Sequence, residues 1–274
     1  MIMSQKNFFH TAADLLTALT KVVLGSHRSA IPRYGDDGKR LIIMGNGPSL
    51  RQTIADSSDI LCQTDTMAVN FAANAPEFFS LRPRFYILAD PHFFAAAQHD
   101  NVRKLWDNLA SADWKMTLFV PFGIKLPDGF KHEVVRFNAV GVDTPQWLEN
   151  KLFSMQRAMP RPRNVLIPAI MLGVWMNYKD IVIVGADHSW MQTISVDSQN
   201  HVISVQPHFY KESAGEQKRV NSEYEGYRLH QIIHSFYVAF NAYHQIARYA
   251  KTKGITICNA TPESFIDAFE RRAL

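Results

Sequence analysis

The residues of this 274-residue chain best suited to chemistry centre on one short run, Gly45-Asn46-Gly47-Pro48-Ser49. Two glycines permit a tight turn and let backbone approach a ligand closely. Pro48 fixes the start of a helix that Ser49 can cap, and the exposed N–H groups of such a helix end hold phosphate. Asn46 offers both a donor and an acceptor, suited to a ribose hydroxyl or a phosphate oxygen. A plain strand-to-helix turn needs only Gly-Pro-Ser, so the added Asn-Gly points to a ligand. The run is not G-x-G-x-x-G, because the third glycine is missing, and it is not a P-loop, because no Gly-Lys-Ser/Thr follows.

The elements that must position this run are short apolar strands alternating with helices. Strands are expected at 41–44, 66–69, 84–88, 116–120, 134–137, 181–184 and 255–258. Helices are expected from Leu50, after Asp90, from about Pro145, over 166–176, over 223–253 with Gly254 as its stop, and over 262–272. This alternation predicts an α/β fold with a doubly wound, mostly parallel sheet covered on both faces. Ligands bind beyond the carboxyl ends of such strands, near the point where strand order reverses. Four strand ends carry small, amide or carboxylate groups: the Gly45–Ser49 run, Asn70, Asp90, and Gly185-Ala186-Asp187. Residues 188–226 are polar and irregular, and a loop that long reads as a lid. The expected organisation is an N-terminal helix and linker over 1–34, then a single nucleotide-binding domain over 35–274.

Composition agrees with a folded protein, with 47% hydrophobic and 20% charged residues. The formal charge of +4 suits an anionic substrate or a membrane surface without choosing between them, and no nucleic-acid partner is expected. Two cysteines, Cys62 and Cys258, match no zinc or redox spacing and fit a reducing compartment. No apolar run is long enough to span a membrane. The first 25 residues instead read as an amphipathic helix bearing Phe8, Phe9, Leu15, Leu16, Leu19, Val22 and Val23. It would pack on the main domain or on a second copy, or dock peripherally on a membrane through Lys6, Lys21, His27 and Arg28.

Gly45-Asn46-Gly47-Pro48-Ser49-Leu50 resembles the opening motif of the bacterial sialyltransferases of glycosyltransferase family 42. It is also similar to Rossmann-like proteins related to a pterin pyrophosphokinase. Val69-Asn70-Phe71, Asp90-Pro91-His92-Phe93-Phe94 and Tyr178-Lys179-Asp180-Ile181 with Gly185-Ala186-Asp187 follow in the family's order, as does the end from Cys258 through Pro262 and Ser264. The resemblance spreads over about residues 40–270. It implies a Rossmann-like fold and a CMP-sugar donor as substrate, with no separate cofactor and no metal. The nucleotide would lie among Gly45–Ser49, Asn70, Asp90 and Gly185–Asp187. Asp90 stands where the family has an asparagine, Asn164 takes over a polar contact of its Thr-Ser-Gly stretch, and His188-Ser189-Trp190 replace its aromatic hydroxyls.

Transfer needs a base for the acceptor hydroxyl, and histidine suits that near neutral pH. The family's histidine lies before its last long helix, where this chain offers His230 and His234; His188 is the alternative. The His230/His234 spacing is also that of a zinc half-site, but no third ligand accompanies it. Arg161 and Arg163 would form a rim for a sugar carboxylate or phosphate. His208, Tyr210 and Tyr227 complete the expected substrate contacts. The partners would be a nucleotide-sugar donor and a glycan or lipid-linked glycan acceptor, in the cytoplasm or on the inner face of the membrane. Phosphoryl transfer with magnesium on Asp90 and Asp187, or a non-catalytic binding role in polysaccharide assembly, are the competing expectations.

Overall fold

Continuous apolar runs such as Leu41-Ile42-Ile43 bury both faces of a strand, and here they build the centre of a parallel sheet. The structure is a computed structural model that describes residues 12–95, 99–203 and 226–274. Helix α1 (Ala12–Gly25) leads through a linker to β1 (Arg40–Met44) and α2 (Leu50–Gln63). Next come β2 (Asp65–Val69), a 3₁₀ turn at Asn70–Asn74, α3 (Glu77–Leu81), β3 (Phe85–Ile87), α4 (His92–Ala95) and α5 (Asp100–Ser111). Then follow β4 (Thr117–Pro121), β5 (Glu133–Phe137), β6 (Gly141–Val142), α6 (Gln146–Ser154), β7 (Met159–Pro160), α7 (Leu166–Trp175) and β8 (Asp180–Val184). Helix α8 (Trp190–Thr193), a small hairpin of β9 (Ser195–Val196) and β10 (Val202–Ile203), helix α9 (Leu229–Thr252), β11 (Thr256–Asn259) and β12 (Glu270–Arg271) complete the order.

The main sheet has eight strands in the order β12-β11-β8-β1-β2-β3-β4-β5. Every pairing within it is parallel. The chain winds outward from β1 to β5, then returns to the other side of β1 as β8, β11 and β12. This is the doubly wound, Rossmann-like arrangement expected from the sequence. Alternate residues of each central strand feed two cores. Leu41, Ile43, Ile181 and Ile183 face α7 and α9, while Ile42, Met44, Val182 and Val184 face α2 and α5. Leu41, Ile42 and Ile43 are wholly inaccessible, and burial of each such side chain contributes about 1.5–3 kcal/mol. All ten residues of α7 are buried, as its unbroken apolar sequence requires.

Three expectations need correction. The segment 262–272 is not a helix: Glu263 has a left-handed φ of 51°, and Ser264 turns its hydroxyl back onto the Ile266 N–H. Ser49 precedes α2 but makes no cap bond, because its hydroxyl is taken elsewhere. The stretch expected as an irregular lid, 188–226, contains α8 and the β9–β10 hairpin, and 204–225 lie outside the described residues. Helix α1 buries Ala18 and Val22 on the main core and leaves Leu16, Val23 and Leu24 exposed. No helix among the described residues is long and apolar enough to cross a membrane.

Candidate functional site

The reversal of strand order falls between β1 and β8, and a cleft of about 520 Å³ opens beyond their carboxyl ends. Its walls bring together Gly45, Asn46, Gly47 and Pro48 after β1, Asn70 after β2, Asp90 after β3, and Gly185, Asp187 and His188 after β8. Arg163 and Asn164, just before α7, line it too, with Ser189 and Trp190. Thus four strand ends and one helix start converge on a single space. Ser49 and Ala186 do not line it.

The glycines of the first run serve the protein's own backbone. A Cβ on Gly45 would lie 2.4 Å from the Gly185 carbonyl oxygen, and one on Gly185, at φ 64°, would lie 2.6 Å from the Gly45 oxygen. A Cβ on Gly47 would lie 1.9 Å from Asp187 Oδ2. The two strand exits therefore pack backbone to backbone, tied by Gly45 N–H to Val184 O at 2.8 Å and Gly47 N–H to Gly185 O at 2.8 Å. Asp187 seals them: Oδ2 accepts the Ser49 hydroxyl at 2.8 Å and Oδ1 accepts the Ser49 N–H at 3.3 Å. A carboxylate thus already occupies the helix end that the sequence reading gave to phosphate, where an anion is favoured by the helix dipole. Ala186 is withdrawn as well. Its N–H donates to Thr261 Oγ1 at 3.0 Å and its carbonyl accepts Ser264 Oγ at 2.6 Å.

Two amide oxygens in the cleft are left wanting. Asn46 Nδ2 donates to Val69 O at 3.1 Å, which fixes the amide and leaves its Oδ1 buried without a partner. Asn70, at a left-handed φ of 50°, likewise holds a buried, unpartnered Oδ1. Buried acceptors are almost always satisfied, so a ligand with hydrogen-bond donors fits both. Asp90 uses Oδ1 to accept the His92 N–H at 2.8 Å, turning the chain into α4.

His188 is buried and follows Asp187 at a left-handed φ of 52°. Its Nε2 lies 2.6 Å from the Tyr243 hydroxyl, which donates to Asn164 Oδ1 at 3.0 Å. That same Asn164 oxygen accepts the N–H groups of Leu166 and Ile167 and so caps α7. Trp190 lies against the His188 ring with centroids 4.1 Å apart. Burial brings the His188 pKa down to about 3 and raises that of Tyr243. The imidazole is therefore neutral at physiological pH and a weak base. Tyr243 was legible only as a core aromatic of α9. Its hydroxyl, which needs a partner once buried, was the available signal for a polar role.

A second cavity of about 370 Å³ adjoins the first and shares Arg163, Asn164 and Trp190 with it. Tyr227, Gln231, His234, Ser235 and Phe236 complete most of its lining. Of the histidine pair, only His234 reaches a cavity. His230 is exposed at the start of α9 and lines neither. Arg161 is exposed and lines neither cavity; its backbone packs over Gly141 instead. His208 and Tyr210 lie outside the described residues. Among the described residues, no three of His, Cys, Asp and Glu gather as a metal group.

Fold and cleft together define a doubly wound α/β protein with a cleft at its topological switch point. The structure resembles that of a MAf glycosyltransferase from Magnetospirillum magneticum AMB-1, with a TM-score of 0.55 and 12% sequence identity. The likeness covers 93% of this chain and 37% of that one, so this chain spans well under half the length of its neighbour. The fold is thus one that a glycosyltransferase also uses. No family model matches the chain, and no curated protein matches it in sequence.

Proposed function

We propose that the chain transfers a sugar from a nucleotide-sugar donor, specifically a sialic acid-like sugar from CMP, to a hydroxyl of a glycan or lipid-linked glycan, without a metal. The observation that carries this reading is the pair of unpartnered amide oxygens, Asn46 Oδ1 and Asn70 Oδ1, at the ends of β1 and β2. Both accept hydrogen bonds, and a nucleoside offers donors in its ribose hydroxyls and, in cytidine, its amino group. A phosphate at neutral pH offers too few. The shared fold with a glycosyltransferase supports the same reading.

Charge orients the donor. Asp90 and Asp187 stand on the strand side of the cleft, whereas Arg163 is the one cation among the described residues lining it. The nucleoside then lies over β1 and β2 with its phosphate directed to Arg163, whose guanidinium fits a phosphate in bidentate fashion. In the reaction the acceptor hydroxyl attacks the anomeric carbon and its proton passes to a base. The bond from that carbon to the phosphate oxygen breaks, and the electron pair leaves on CMP. His234 is the base in this scheme, because burial makes His188 a weak base and His230 lines neither cavity. Phosphoryl transfer with magnesium on Asp90 and Asp187 is disfavoured, since both Asp187 oxygens are engaged by Ser49. Titration calorimetry with CMP, UMP, AMP and GMP in the presence of EDTA tests the proposal. CMP is expected to bind best, and absence of binding by any cytidine nucleotide would overturn it.

A further inference from the structure

The second cavity adjoins the first and shares with it Arg163, the residue to which the donor reading gives the phosphate. The geometry points to this cavity as the seat of a carbohydrate acceptor, bound as a sugar ring with its apolar face on the aromatic wall. This inference rests on the donor reading for its role in transfer, though not for the existence of the site.

Three observations carry it. First, the two cavities share Arg163, Asn164 and Trp190, so groups bound in each meet across a common wall. Second, Trp190 is held by ring contacts with His188 at 4.1 Å and Phe236 at 5.6 Å, and with Phe236, Ile232 and Ala239 it supplies an apolar part of the lining. Third, the polar groups stand together on α9: Gln231, His234 and Ser235 fall within five consecutive positions of the lining. A pyranose presents C–H groups on one face and hydroxyls around its edge, which matches an apolar floor beside an amide, an imidazole and a hydroxyl. His234, in this lining, is placed to accept the proton of the acceptor hydroxyl.

Saturation-transfer NMR on the full chain tests the site. The probes are methyl β-galactoside, methyl α-glucoside, methyl N-acetyl-β-glucosaminide and a Ser/Thr-containing hexapeptide, each with and without saturating CMP. At least one methyl glycoside is expected to receive saturation, and CMP is expected to leave that signal in place. Ser235→Trp fills the cavity and is expected to weaken the signal at least tenfold while calorimetric CMP binding is unchanged. Gln231→Ala, at an exposed position, gives a second and milder loss should the Trp variant fold poorly. The inference is overturned if no glycoside responds, if only the peptide does, if the signal survives both substitutions, or if CMP displaces the glycoside. A failure of CMP to bind at all sinks the donor reading instead, and is seen separately in the calorimetry.

Discussion

His188 makes acid stability a direct test of the site's architecture. In the unfolded chain its imidazole takes up a proton below about pH 6.5, but in the folded protein burial holds the pKa near 3. Between these values protons bind the unfolded chain preferentially, so this residue's contribution is fully present above pH 6.5 and falls as the pH drops towards 3. At pH 5 the loss amounts to about 2 kcal/mol, and it reaches about 4 kcal/mol at pH 3, taking about 1.4 kcal/mol per pKa unit. His188→Asn isolates the effect, because asparagine tolerates the left-handed backbone at φ 52° and does not titrate. Urea unfolding of both proteins at pH 7.5 and pH 5.0 is the assay. Wild type is expected to lose about 2 kcal/mol more than the variant between the two conditions. With a slope of about 3 kcal/mol/M that is a differential midpoint shift of roughly 0.7 M. Equal acid losses in the two proteins would show that His188 is not buried neutral against Tyr243, and the exclusion of His188 as the base would fall with it.

Gly47→Ala should destabilise the fold by about 1–3 kcal/mol, since its Cβ meets the Asp187 carboxylate at 1.9 Å. The same change should cost measurably less in an Asp187→Ala background, and a double-mutant cycle of thermal unfolding reads that coupling. Asn46→Ala removes an acceptor aimed at the nucleoside, and CMP affinity in calorimetry should fall up to about tenfold. Within the proposed chemistry, His234→Ala should lower kcat about 10²- to 10⁴-fold while CMP binding persists, whereas His230→Ala should change kcat little. Steady-state transfer assays with the two variants side by side check this.

Much of the fold was legible because parallel strands buried on both faces leave an unmistakable apolar run. Leu41–Met44 and Ile181–Val184 are such runs, and β1 and β8 lie within a residue of where the pattern put them. The last helix was misread for a local reason. The pattern predicts a helix over 262–272, but Asn259 and Ser264 spend their side chains on nearby backbone and on each other, as at the Thr261 N–H and the Ile266 N–H. That turn exists to grip Ala186, 78 positions away from Ser264. The histidine pair misled differently. An i,i+4 spacing puts two side chains on one face of a helix, but it cannot say what each of them meets, and here His234 lines the second cavity while His230 does not.

The Gly45–Ser49 run shows why a turn of this kind does not by itself name its ligand. Glycines before a helix permit close approach, but the sequence does not name what approaches. Here it is the exit of β8, with Asp187 supplied from 138 positions downstream to the N–H of Ser49. Because that carboxylate already meets the positive end of α2, a second anion placed there would face repulsion rather than a welcome. In the proposed reading a phosphorylated ligand sets its charge elsewhere, and Arg163 is the cation available among the described lining residues. The loop then works as a brace for Asn46, whose Nδ2 is bonded to Val69 O while its Oδ1 has no partner. On that reading nucleoside recognition falls to the amides after β1 and β2, and the phosphate to Arg163, which also lines the second cavity.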